Sequence, residues 1–199
     1  MSLAMKEDLG ITNKGWGVCG FTSTFYAMWA QNPGSRGALM NAPKPFTVLA
    51  EIKTYLMLLL ATGKTAELKS ITDFTRSFGA PYDAFTIDSY VARINDAVDL
   101  TDEQIVGNKL FGIAMPPTCV ADYAKRIWGY DCAITTGDAG GNAIIGVQSS
   151  AYPTMTAYRG LCHYMYRYNN RIYSWGKSFG SVAEANSKYT VVWTLRLDK

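Results

Sequence analysis

The stretch 162-CHYMYRYNNRIYSWG-176 decides how this chain is to be read. Two runs of β-branched and aromatic residues flank Asn169 and Asn170, a pair suited to the positive φ angles of a two-residue hairpin turn. With that turn, residues whose numbers sum to 339 lie opposite one another: Tyr168 with Arg171, Tyr166 with Tyr173, Tyr164 with Trp175. One face is then an aromatic ladder packed into a core. The other carries His163, Met165, Arg167, Ile172 and Ser174, with His163 and Ser174 as diagonal neighbours within reach of a side-chain contact. A slip of one residue would exchange the faces, so the assignment rests on the Asn-Asn turn.

The residues around this hairpin have the same character. From Tyr130 onward, "YDCAITT", "NAIIGVQSS" and "KYTVVWTLRL" are further strand-like runs separated by turn residues. In the last of them Tyr189, Val191, Trp193, Leu195 and Leu197 alternate with polar partners, which predicts one buried face. The glycines of "GDAGGNA" read as a flexible connection between strands. Upstream the periodicity is helical. "VCGFTSTFYAMWAQ" places Phe21, Phe25 and Met28 at helical spacing, with Ala27 and Trp29 widening the apolar face until the helix is buried on most sides. Breakers in "NPGSRGALMNAPKP" follow, and helices are expected over Thr47–Ala61, Thr65–Phe78, Thr86–Val98 and Cys119–Trp128, the last capped by Thr118. The expected class is α+β: one domain of 199 residues, helical over about 1–128 and antiparallel β over about 129–199.

Composition narrows the function. The chain has 19 basic and 16 acidic residues, a formal charge of +3 and 48% hydrophobic residues. That charge is too small and dispersed to argue for nucleic acid, and the ladder sends most of the Tyr158–Tyr173 rings into the core rather than to stacked bases. The longest apolar stretch, "FTVLAEIKTYLMLLLATG", contains Glu51 and Lys53 and falls short of a membrane span. "MSLAMKEDLG" has no signal-peptide core, leaving localisation open between the cytoplasm and a signal-independent export route. Four dispersed cysteines and a single histidine speak against a zinc site, and no cofactor is expected. "ATGKT" and "WGKSF" fail as phosphate loops, since Leu58 and Arg171 stand where the first glycine belongs.

The chemistry then centres on Cys19 and His163. Cys19 sits among glycines at the start of a buried helix, where the helix N-terminus favours a thiolate. As the only imidazole, His163 has no rival as proton acceptor. Cys119 is the weaker nucleophile candidate, and Cys132 and Cys162 read as core residues, Cys162 because strand alternation turns it away from His163.

A helix-opening cysteine early in the chain and a strand histidine late in it resemble the layout of papain-like cysteine peptidases. "GWGVCGF" resembles their nucleophile motif, and "HYMYRYNNRIYSWG" the histidine hairpin that ends in Asn-Ser-Trp-Gly or Asn-Pro-Trp-Gly. "VADYAKRIWGYDCAITT", with the "NAIIGV" that follows it, is similar to bacterial peptidases related to bacteriocin-processing enzymes. The resemblance implies a cleft between a helical and a β lobe, and a cysteine peptidase that cleaves a peptide or protein substrate through an acyl-cysteine intermediate. It further implies a bacterial effector protease, with a cell-wall peptide amidase or an acyltransferase as enzymatic alternatives and an inactive papain-fold binding module as the non-enzymatic one. Cys19 would be the nucleophile, its pKa lowered to roughly 3.5–7.5 by helix and imidazolium. His163 would be the base, and Trp16, Gly17 and Trp175 would line the substrate cleft. The family's oxyanion glutamine falls on Asn13, which offers the same amide on a shorter stem and serves equally well as a turn cap. The residue that orients the histidine falls on Ser174, which accepts a hydrogen bond but brings no charge. Either the pair works as a Cys-His dyad or another residue reaches His163.

Overall fold

The computed structural model describes residues 16–31 and 44–198. Among the described residues seven α-helices and six strands make it α+β: α1 (Cys19–Gln31), α2 (Pro45–Ala61), α3 (Thr65–Arg76), α4 (Ile87–Asn95), α5 (Asp102–Gly107) and α6 (Pro117–Trp128) precede β1 (Asp131–Thr136), β2 (Ala143–Ser149), β3 (Leu161–Tyr168), β4 (Arg171–Ser174) and β5 (Lys177–Phe179); α7 (Val182–Ala185) and β6 (Tyr189–Asp198) follow. The strands form one sheet in the order β1-β6-β2-β3-β4-β5, antiparallel at every pairing. The last strand is therefore inserted between the first two.

Helix α1 is buried along nearly its whole length, from Gly20 to Trp29. A helix that is apolar all round belongs in an interior, and this one lies against β3 with Tyr26 meeting Tyr173 at 6.2 Å between ring centroids. Two of its buried hydroxyls bond back to the chain one turn earlier, Thr24 donating to the carbonyl of Gly20 at 2.9 Å and Thr22 to the carbonyl of Cys19 at 3.3 Å. Gly20 permits the close approach of Met115: a Cβ there would lie 3.1 Å from the Met115 methyl. On the other side Phe21, Tyr55 and Tyr123 pack edge to face, and the Tyr123 hydroxyl donates to buried Glu51 at 3.1 Å.

The turn chemistry of the hairpin fixes its register. Asn169 and Asn170 take φ of 48° and 61°, and Tyr166 pairs with Tyr173 and Tyr168 with Arg171. Tyr164, Tyr166 and Tyr173 lie in the main core with α1, while Met165 and Ile172 join Ala143, Ile145 and Val147 in a second, smaller core under α7.

Several local expectations are corrected. Helix α6 starts at Pro117 rather than behind Thr118, because proline at N1 has its φ preset and loses no helical hydrogen bond. Helix α4 ends at Asn95 and passes into a 3₁₀ turn, Asp96–Asp99; α5, unforeseen, is capped by Thr101 and Gln104. Two bulges break the alternation of the sheet. In β6, Gly146 faces Trp193 but Val147 faces Val191, leaving Val192 as an extra residue. The expected single apolar stripe is thereby split: Trp193, Leu195 and Leu197 pack into the main core, Tyr189 and Val191 into the second. In β3, Val147 faces His163 and Gln148 faces Leu161, which makes Cys162 the extra residue.

Candidate functional site

Cys19 is the first residue of α1 and His163 lies on β3, which packs against that helix. Both line a cavity of about 110 Å³ whose wall includes Gly17, Thr75, Phe78, Tyr82, Ile113, Cys162 and Trp175. That is smaller than the ~150 Å³ that holds a benzene ring, so the cavity suits one small side chain or an extended backbone. One wall is the extended segment between Phe111 and α6. Ile113 N–H donates to the Gly17 carbonyl at 3.2 Å, Ala114 N–H to the Thr75 hydroxyl at 3.0 Å, and the Tyr164 hydroxyl to the Met115 carbonyl at 3.0 Å. The loop before α1, α3 and the sheet are thus joined around the cavity.

His163 is 8% exposed and Ser174 3%. The Nε2 of His163 and the Oγ of Ser174 are 2.7 Å apart, the contact that the hairpin register allows across diagonal positions. Trp175 does not continue the ladder opposite Tyr164. Strand β4 stops at Ser174, Trp175 takes a φ of 52°, and its indole turns over to stack on the imidazole, 4.7 Å between centroids with the planes 3° apart. Tyr189, brought to this face by the bulge at Val192, lies 6.1 Å from the same ring.

The electrostatics differ from the ion pair that the sequence suggests. Burial pushes the Cys19 thiol up to about 11, against the pull of the backbone N–H groups of Tyr164, Cys19 and Gly20. Burial drives His163 down to about 3. Both shifts run against the expected lowering of the thiol pKa and favour a neutral thiol and a neutral imidazole. Removal from water outweighs the helix N-terminus here.

The other sequence-derived residues divide. Gly17 and Trp175 line the cavity. Trp16 does not: it is 1% exposed and packed in the main core, because an indole beside a loop glycine gains more from burial than from facing a narrow cavity. Asn13 lies outside the described residues. Cys162, expected in the core, is partly exposed at the cavity, because as the extra residue of a bulge it no longer alternates with His163. Cys119 is buried, its thiol 3.9 Å from the carbonyl of Glu67, and Cys132 is half-buried at the core margin. Sequence reasoning missed Tyr82, Thr75, Phe78 and Ile113, which carry no motif and meet the cysteine only through the fold. Among the described residues, no group of three or more His, Cys, Asp or Glu converges on a point where a metal ion could be held, and no helix is long and apolar enough to cross a membrane. No protein-family model, no curated protein and no solved structure matches the chain.

Proposed function

We propose that this protein is a cysteine hydrolase with a papain-like arrangement, cleaving a peptide or amide bond through an acyl-cysteine intermediate. The observation that carries the reading is the contact of His163 with Ser174, stacked under Trp175, in the same cavity as a cysteine that opens a buried helix.

The chemistry follows from which atoms are occupied. Ser174 holds Nε2, leaving Nδ1 of His163 as the proton acceptor. For Nδ1 to accept, Nε2 carries the hydrogen and donates it to the Ser174 hydroxyl. With both partners neutral at rest, the proton leaves the thiol as the bond from sulfur to the acyl carbon forms, rather than beforehand. His163 then returns that proton to the departing amine as the carbon–nitrogen bond breaks. Water activated at the same nitrogen hydrolyses the thioester. An amidase or an acyltransferase would use these same steps with a different donor or acceptor, and an effector protease is the biological setting the resemblance suggests. A second reading, an inactive binding module, is favoured by the raised thiol pKa and by serine in the orienting position.

Labelling with iodoacetamide at about pH 8, where a little thiolate exists, separates the two. Cys19 should react ahead of Cys119, Cys132 and Cys162, because it lines the cavity and the backbone N–H groups of Tyr164, Cys19 and Gly20 favour its thiolate, and His163→Ala should slow it. A peptide-library screen with Cys19→Ala as control should then find a cleavage that the variant lacks. Equal labelling of all four cysteines, or no Cys19-dependent cleavage, refutes the hydrolase.

A further inference from the structure

We infer that the hydroxyl of Tyr82 is an oxyanion donor of this site, an inference that rests on the hydrolase reading. Tyr82 follows Pro81 in the turn between α3 and α4. The turn is fixed by its own backbone: Tyr82 N–H donates to the Gly79 carbonyl at 2.7 Å, and the Tyr82 carbonyl accepts from Phe85 N–H at 2.9 Å. The side chain reaches from there to the cavity wall.

Gly112 makes room for its hydroxyl, and Gly17 lies in ordinary contact range of it. A Cβ at Gly17 would lie 3.6 Å from it, and one at Gly112 would fall 2.6 Å away, inside any allowed contact. Gly17 takes a φ of 68°, which an L side chain rarely adopts, and stands two positions before Cys19. The hydroxyl is therefore seated beside the nucleophile loop, at the wall of the cavity that Cys19 also lines.

Among the described residues this hydroxyl has no hydrogen-bond partner, whereas neighbouring polar groups are committed. Thr75 exchanges hydrogen bonds with Ala114, accepting from its N–H at 3.0 Å and donating to its carbonyl at 3.4 Å, and His163 engages Ser174. Burial, reinforced by the nearness of Cys19, raises the Tyr82 phenol above its ordinary value, so it stays a donor.

The chemistry needs such a group. When a neutral thiol attacks under general-base catalysis, the carbonyl π pair moves onto oxygen as the sulfur–carbon bond forms, creating charge where none stood before. A phenol O–H donates a hydrogen bond to that oxygen without giving up its proton and relaxes when the intermediate collapses.

The test compares two reactions of one sulfur. With p-nitrophenyl acetate, attack by Cys19 forms the thioester and expels p-nitrophenolate, passing through an oxyanion. With iodoacetamide, displacement at a saturated carbon makes none. Tyr82→Phe removes one atom that bonds to no described residue. It should lower the Cys19-dependent release of p-nitrophenolate roughly 10²–10³-fold while leaving alkylation of Cys19 at the wild-type rate. Cys19→Ala defines the background. Unchanged acylation in Tyr82→Phe overturns the role of Tyr82 and leaves the hydrolase standing, as does equal slowing of both reactions, which marks a structural role. A wild-type protein with no Cys19-dependent release overturns the hydrolase and the tyrosine with it.

Discussion

Acid should destabilise this protein through His163, and the direction of the effect distinguishes a neutral imidazole from an imidazolium held beside a thiolate. In the unfolded chain this histidine titrates near 6.5, whereas burial holds it at about 3 in the fold. Below 6.5 the unfolded state therefore binds a proton that the folded state refuses, and stability falls as the pH falls. The slope is about 1.4 kcal/mol per pH unit, so about 2 kcal/mol is lost by pH 5 and up to about 5 kcal/mol as the pH approaches 3. Against a typical total of roughly 5–15 kcal/mol this is large. Carboxylates titrate in the same range, so the quantity to measure is the difference in unfolding free energy between wild type and His163→Gln, from urea melts between about pH 7.5 and pH 5. The difference should shrink by about 2 kcal/mol in favour of the variant as the pH drops. An imidazolium stabilised by a thiolate would have a raised pKa and the opposite behaviour, with stability lost as the pH rises through that value. A pH-independent difference, or one of the opposite slope, refutes the neutral pair.

Two substitutions probe the surroundings of the same ring. Ser174→Ala leaves Nε2 of a buried imidazole without its partner and should cost about 1–3 kcal/mol in a urea melt. It should also lower kcat while KM stays near wild type, with Ser174→Thr restoring the hydroxyl and most of the rate. Trp175→Ala removes the stacked indole, worth about 0.5–1.5 kcal/mol beyond the area it buries, and opens His163 to water. The histidine should then titrate closer to 6.5, seen as a shallower loss of stability between pH 7.5 and 5 than the wild type gives.

Local features of the chain determine much of this molecule, because their rules act over a few residues. Helical spacing in "VCGFTSTFYAMWAQ" and β-rich runs after Tyr130 specify α+β, and the positive-φ preference of Asn169 and Asn170 sets the hairpin register that brings His163 to Ser174. What tertiary structure decided depends on partners distant in sequence. The insertion of β6 between β1 and β2 follows from packing, and so do the bulges at Cys162 and Val192 that carry Cys162 and Tyr189 to the site. Trp175 stacks on His163 because the strand ends one residue before it, and Trp16 goes inward because a core was there to receive it. The thiol and imidazole pKa values belong to the same class. A helix-opening cysteine and a strand histidine are visible in sequence and argue for an ion pair, but the water that surrounding elements remove is not, and desolvation shifts both groups toward their neutral forms.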